Sequence, residues 1–177
     1  LYCSSLSSRK MLEYIFNTSK IKPLLSIQKF HNLLSEGFLI NGERITCLSS
    51  LSISNITHKK KIWIPKSEIE KGIRYIYLPF FNVPYIRQLC ISLFSFIYTM
   101  NWCLRNKKEG AIIISDILNV SHSMACLMAS KICGIKSYAI VTDIPSMIKQ
   151  KRNNFNHSLL ETYSIKIGTK FIYSYDG

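Results

Sequence analysis

The amino-acid sequence predicts an α/β fold, built on a doubly wound, mostly parallel sheet with helices on both faces. Short apolar runs such as AIIIS at 111–115 lack the strict alternation of a half-exposed strand, which is typical of parallel strands covered on both sides. These runs alternate along the chain with segments of helical periodicity. That order favours strand–helix–strand units over an all-helical or all-strand fold.

The clearest strand–helix–strand unit runs from Ala111 to Pro145 (AIIISDILNVSHSMACLMASKICGIKSYAIVTDIP). A strand at 111–115 ends at Asp116, a helix ends at Gly134, and a strand at 138–141 is followed by Asp143. Such crossovers are right-handed and place both carboxyl ends on one sheet edge. We therefore expect Asp116 and Asp143 to face one crevice, where open α/β sheets bind ligands. The alternative is that each acid only caps a helix or closes a turn.

The amino-terminal segment predicts a second unit of this kind, with a strand at Leu1–Leu6, a helix at Leu24–Phe38 and a strand at Glu43–Leu48. The helical period places the apolar residues of the helix on one side, namely Leu25, Phe30, Leu33, Leu34 and Phe38. The loop after the first strand lacks the glycines of a dinucleotide-binding G-x-G-x-x-G motif, so we expect no nicotinamide cofactor there.

The middle of the chain predicts two strands, at Lys61–Pro65 and Ile73–Pro79, and an exposed loop between Pro79 and Pro84. The most apolar segment is Leu89–Leu104, whose 16 residues fall short of the roughly 20 that span a bilayer. We therefore expect a buried or interface helix rather than a membrane span. A helix resting against lipid headgroups, with its flanking cations on phosphates, stays open.

The carboxyl-terminal part predicts a polar loop at Ser146–His157, a helix at Leu159–Ile167 and a strand at Lys170–Tyr175. Residues 1–177 are enough for one domain with a core of its own.

The formal net charge of +13 predicts an anionic partner, which could be nucleic acid, an anionic membrane surface or a phosphorylated ligand. The basic residues are scattered in small groups, as at Lys59–Lys61, without a long tail, a helix stripe or a nucleic-acid recognition motif. This pattern argues against nucleic acid and leaves the other two partners.

The six cysteines have no C-x-x-C spacing and fall within apolar runs, which predicts small core residues in a reducing, cytoplasmic compartment. The four histidines are equally dispersed along the sequence, so we expect no metal site.

Three segments carry a resemblance to a known family. QKFHNLLSEGFLINGERITCLSS looks like the family's first helix and second strand, the 111–145 unit looks like the strand, helix and strand bordering its acceptor cleft, and FIYSYDG looks like the strand before its linker. On these segments the chain resembles the amino-terminal half of a bacterial group 1 (family 4) glycosyltransferase of the GT-B architecture.

The resemblance implies a single Rossmann-like, acceptor-side domain, with a carboxy-terminal donor-binding domain outside residues 1–177. It implies an enzyme that moves a sugar from a nucleotide sugar to a saccharide or lipid-linked acceptor with retention, without a metal or other cofactor, and a half that is inactive alone. Asp143 is then the candidate to orient or deprotonate the acceptor hydroxyl. The candidate acceptor-binding residues are Asp116, Asn119, Thr142, Ser5 and Ser7, the two serines lining the floor of the pocket.

Two interpretations of function follow. The first is this acceptor-binding half, peripheral on the inner face of the cell membrane, where the basic surface and the apolar 89–104 helix meet a lipid-borne acceptor. The second is a non-catalytic α/β module that binds a phosphorylated or anionic partner.

Overall fold

The computed structural model describes residues 1–23, 25–107, 110–141 and 170–173. These residues form four helices and nine strands. In chain order they are β1 (Tyr2–Ser4), α1 (Arg9–Thr18), α2 (Leu25–Ile40), β2 (Thr46–Ser49), β3 (Ile62–Trp63), β4 (Glu68–Glu70), β5 (Ile73–Tyr77), β6 (Phe80–Phe81), α3 (Ile86–Asn106), β7 (Ile112–Asp116), α4 (Val120–Cys133), β8 (Lys136–Val141) and β9 (Lys170–Tyr173).

The predicted doubly wound α/β fold is confirmed. The main sheet has the order β4-β5-β2-β1-β7-β8-β9, in which every neighbouring pair is parallel except β4 with β5. The chain builds outward from β1 through β2 to β5, returns through α3 to β7, and then builds outward the other way. The order therefore reverses between β1 and β7, and a crevice outside the carboxyl ends of strands at such a point is the usual ligand site of this architecture.

The helices cover both faces of the sheet. Successive residues of a strand point to opposite faces. On one face the ring of His31, in α2, contacts Tyr2 and Asp116. On the other face Ser115 Oγ donates to Ser123 Oγ of α4 at 3.0 Å, and α3 packs along α4.

Helix α2 buries a polar side, which the apolar period did not predict. Of the five apolar residues predicted to share one side, Leu25 and Leu33 are 51% and 58% exposed, whereas the other three are partly buried against the core. The fully or nearly buried residues of α2 are instead Gln28, His31 and Ser35, at helical spacings of three and four. The reason lies in the facing strand ends: Gln28 bonds to the Ser5 carbonyl and the Ser7 amide, and His31 bonds to the sheet.

Helix α3 extends the predicted 89–104 segment by several residues and buries a narrow side of small residues. Ile91, Ser95, Thr99 and Cys103 are buried and recur every fourth residue. The larger apolar residues lie on the opposite side, where Leu89, Leu93, Ile97 and Leu104 are all at least 49% exposed. Among the described helices, none is both long enough and apolar enough to cross a bilayer.

The prediction of an exposed loop between Pro79 and Pro84 is wrong in part. Phe80 is buried and pairs with Trp63 across a small antiparallel sheet formed by β3 and β6. Their rings stack at 6.2 Å between centroids, which fixes the segment that leads into α3. Phe81, the next residue, is half-exposed, as the sequence suggested.

The bounds of the other elements lie close to the predicted ones, but strands β1 and β2 are shorter than predicted. The predicted helix at Leu159–Ile167 lies outside the described residues, as do the candidate site residues Thr142 and Asp143.

Both ends of α4 follow from the local sequence. Asn119 Oδ1 accepts the His122 amide at the amino end, and Gly134 closes the carboxyl end in the left-handed conformation, with φ +69°. We expect Gly134→Ala to lower the free energy of unfolding by about 1 kcal/mol, because alanine is strained at this φ. Chemical denaturation measures the change.

Gly37 provides the matched control, because it lies inside α2 with an ordinary φ and open space around an added Cβ. Gly37→Ala should raise the free energy of unfolding by about 0.5–1 kcal/mol through helix propensity. A loss of equal size in both variants would contradict the assignment of the Gly134 effect to its conformation.

Candidate functional site

A crevice lies at the carboxyl-terminal edge of the sheet, at the reversal between β1 and β7. Its cavity has a volume of about 660 Å³. The walls come from the residues after β1, β2 and β7 and from the first residues of α3 and α4. Its polar lining includes Ser5, Ser50, Ser52, Arg87, Asp116 and Asn119.

Asp116 is the one carboxylate among the described lining residues, and the structure holds it firmly. It is 2% exposed, its Oδ1 accepts the Leu118 amide at 3.1 Å, and its Oδ2 lies 3.1 Å from His31 Nε2. The other ring nitrogen of His31, Nδ1, is hydrogen-bonded to the Tyr2 hydroxyl. A buried chain of three side chains therefore runs from the core to the wall of the crevice.

The positions of the protons in the series Tyr2, His31 and Asp116 follow from the chemistry of the phenol at one end and the carboxylate at the other. Burial and the charge of Asp116 raise the pKa of the Tyr2 phenol well above its ordinary value, so Tyr2 keeps its proton and donates it to His31 Nδ1. His31 then carries its own proton on Nε2 and donates it to Asp116. In this arrangement Asp116 accepts two hydrogen bonds from the protein, one from the Leu118 amide and one from His31.

Asn119 joins the two halves of the crevice wall. Its Oδ1 caps α4 through the His122 amide, and its Nδ2 donates to Ser50 Oγ at 2.8 Å, just beyond the end of β2. The amino end of α4, with its free amides and partial positive charge, is thereby held against the crevice.

Arg87 supplies the positive charge of the crevice. Its Nη2 donates to the Leu51 carbonyl at 3.0 Å, and its guanidinium carbon lies 5.2 Å from the centre of the Phe80 ring. Burial lowers the pKa of Arg87, but an arginine stays protonated at neutral pH. Its Nε is buried and has no hydrogen-bond partner in the part of the chain that the structure describes. The crevice therefore combines hydroxyl and amide groups with a guanidinium group whose Nε–H does not donate to any described residue.

Comparison with known proteins does not assign this site. No family model, no curated protein and no solved structure matches the chain. Its chemistry must therefore be inferred from its own residues.

The structure brings together three of the predicted site residues, Ser5, Asp116 and Asn119, in the wall of the crevice. Ser7 does not line this cavity; it lies in the wall of a neighbouring one, because the chain has turned by then toward α1. Thr142 and Asp143 are not among the described residues. The roles assigned to all six stay predictions.

Sequence reasoning missed His31 and Arg87. His31 was hidden because it lies within an apolar helical segment, 85 residues from Asp116. Arg87 was interpreted only as a charged residue that precedes the apolar 89–104 segment. Ser50 could have been predicted, because it follows the second predicted strand and residues that follow parallel strands share one edge of the sheet.

The fold also brings together side chains that are dispersed in the sequence. Cys3, His122 and Cys126 are buried in the core, with their ligand-type atoms within 4.8 Å of one another. His122 Nε2 donates to the Leu48 carbonyl at 3.0 Å and Thr99 Oγ1 to Cys126 Sγ at 3.3 Å. Hydrogen bonds between described residues thus already engage His122 and Cys126. The sequence spacing did not predict that these three residues meet, and the expectation of no metal site stays a prediction.

Proposed function

We propose that the chain is the acceptor-binding half of a retaining glycosyltransferase. The observation that carries the proposal is the crevice at the reversal of a 3-2-1-4-5-6 parallel sheet, with hydroxyl, amide and carboxylate groups at strand ends. Groups of this kind bind the hydroxyls of a sugar by accepting and donating hydrogen bonds. The resemblance of the sequence to GT-B enzymes supports the same assignment.

In this proposal Asp116 accepts a hydrogen bond from an acceptor hydroxyl, and Asn119, Thr142, Ser5 and Ser7 contribute further polar contacts. Asp143 orients the attacking hydroxyl and takes its proton. The hydroxyl oxygen forms the new bond to the anomeric carbon on the face from which the nucleotide diphosphate departs, so that the configuration is retained. The nucleotide sugar would be bound by a second domain. The protein's own part is to bind, orient and deprotonate the acceptor.

The exposed side of α3 supports a membrane location for this acceptor. Leu89, Leu93 and Ile97 form an apolar stripe that begins directly beyond Arg87, at the rim of the crevice. Helix α3 contains no acidic residue and ends with Arg105 in its last turn. An apolar stripe with cations suits the interface of an anionic bilayer, so we propose peripheral binding on the cytoplasmic face of the cell membrane.

One observation favours a second candidate, a binding module for an anionic partner without chemistry. The unpartnered Nε of Arg87 and the amino end of α4 border the same crevice, and together they suit a phosphate group. A lipid-linked acceptor also carries phosphate, so this feature alone does not separate the two functions.

Thermal unfolding tests whether the donor binds to this half, and a glycan array separates the two functions. We expect no shift of the unfolding midpoint with UDP-sugars or GDP-sugars, because the donor site lies outside this half, and a shift of about 5 °C with vesicles containing 30% phosphatidylglycerol in phosphatidylcholine. On a glycan array, at least one saccharide should bind the wild-type chain, lose binding in Asp116→Asn and keep it in Glu43→Gln.

Glu43 is a matched acidic control because it is exposed and lies before β2, at the opposite edge of the sheet. A shift with nucleotide sugars would place the donor site in this half and contradict the proposal. Binding of inorganic phosphate without any saccharide on the array would favour the binding module.

A further inference from the structure

The crevice is the first of three adjoining cavities along the carboxyl-terminal edge of the sheet. It shares Ile27 and Ser52 with a second cavity of about 210 Å³, which in turn shares His58 with a third of about 370 Å³. The last two are bounded by α1 and by the segment between β2 and β3. The shared lining residues therefore make the three cavities neighbours, in a row that begins at the crevice and runs away from α4.

The far end of this row is basic and aromatic. Lys20, Lys59 and Lys60 line the third cavity with Tyr14 and Trp63. The Lys60 ammonium lies 4.8 Å from the centre of the Trp63 ring and 5.9 Å from that of Tyr14, which restrains the side chain before any ligand binds. Among the described residues, no carboxylate pairs with any of the three lysines. The positive charge at this end is therefore not neutralised by any carboxylate of the described residues.

Trp63 and His58 form a fixed wall behind these lysines. The Trp63 indole donates to the Lys60 carbonyl at 3.0 Å, and the two ring nitrogens of His58 lie 2.9 Å from Thr57 Oγ1 and 3.2 Å from the Ile15 carbonyl. Since both His58 nitrogens are engaged, the positive charge offered to a ligand comes from the lysines. Tyr14, which is 45% exposed, offers the face of its ring.

The middle cavity contains a polar atom without a partner. Ser7 is 6% exposed, lines this cavity, and its hydroxyl makes no hydrogen bond to any of the described residues. Buried hydroxyls are nearly always paired, because an unpaired one loses its hydration without compensation. A ligand hydroxyl in the cavity would supply the missing partner, which is an indication independent of the lysines.

We propose that the three cavities form one groove for an acidic oligosaccharide. Its reacting end lies beside Asp116, a sugar hydroxyl meets Ser7, and a carboxylate of a later sugar unit lies against Lys59 and Lys60. The inference rests on the proposed function and specifies its acceptor as a carboxylate-bearing chain. A row of cavities with hydroxyl-binding groups at one end and lysines at the other favours this ligand over a flat membrane surface. The sequence has no base-reading motif that would favour nucleic acid.

The test is the binding of a galacturonic acid hexasaccharide and of its neutral methyl ester, by calorimetry in 150 mM salt. The acidic probe should bind at least tenfold more tightly than the ester, because charge-assisted hydrogen bonds to lysine are lost in the ester. Lys60→Gln should weaken the acidic probe about fivefold and leave the ester unchanged. Lys136→Gln, at the exposed amino end of β8 on the other edge of the sheet, should change neither.

Equal losses in the Lys60 and Lys136 variants would mean that net charge alone attracts the probe, and would overturn the proposal. So would binding of phosphatidylglycerol vesicles through Lys60 when neither hexasaccharide binds. If Asp116→Asn weakens the hexasaccharide but Lys60→Gln does not, the groove is wrong and the acceptor crevice stands. If neither variant weakens it, the proposed function fails as well.

Discussion

Replacing His31 with leucine should lower the free energy of unfolding by about 3 kcal/mol, the larger of the usual costs for leaving a buried polar partner unsatisfied. His31 is completely buried and donates to the Asp116 carboxylate, which is itself 2% exposed. Leucine fills the space but removes that donor and the acceptor of the Tyr2 hydroxyl. Urea denaturation of the wild-type and variant chains measures the difference.

Two further variants separate the hydrogen bonds from simple loss of packing. Tyr2→Phe removes only the inner bond and should lower the free energy of unfolding by about 1 kcal/mol. The combined His31→Leu and Asp116→Leu substitutions should cost less than the sum of the two single changes, because the double variant leaves no carboxylate without a partner. Additive losses would show that the contact between His31 and Asp116 contributes nothing.

The same chain of side chains shows how far the sequence predicts the site. The apolar runs and helical periods predict a doubly wound parallel sheet, and the rule that strand ends share an edge places Asp116 at a crevice. The family resemblance added Asn119 and Ser5, and the structure places both in the same wall. These residues could be found because each is next to an element that the local pattern defines.

His31 and Arg87 could not be found in this way, because their roles depend on residues far away in the sequence. A histidine inside an apolar segment gives no local sign that it will meet a carboxylate 85 residues later. Arg87 is placed in the crevice by the Phe80 ring and the Leu51 carbonyl, and the β3–β6 pairing that positions Phe80 was not predicted.

Hydrophobic period also did not reveal the most deeply buried residues of two helices, for one physical reason. Helix α2 lies over polar strand ends and α3 lies closely on α4, so their buried sides carry hydrogen-bonding or small residues. The large apolar residues of α3 are left outside. A period in the sequence shows that a helix has two sides, but what each side contacts is decided by the rest of the fold.

The core beneath the crevice can be tested on α4, where two neighbouring residues of similar size differ in burial. Leu127 is completely buried and Met128 is 45% exposed. Leu127→Ala should lower the free energy of unfolding by about 3 kcal/mol, since it removes buried methyl groups and leaves a cavity that close packing cannot refill. Urea denaturation, with the slope of the transition compared between variants, provides the measurement.

Met128→Ala is the control on the same helix, and it should change the free energy of unfolding by no more than about 0.5 kcal/mol. If both variants lost the same amount, α4 would not present Leu127 to the core as described. Because the first residues of α4 form a wall of the crevice, an α4 docked differently would also move Asn119 away from Ser50. The contrast between these two variants therefore tests the support of the proposed acceptor site without requiring its ligand.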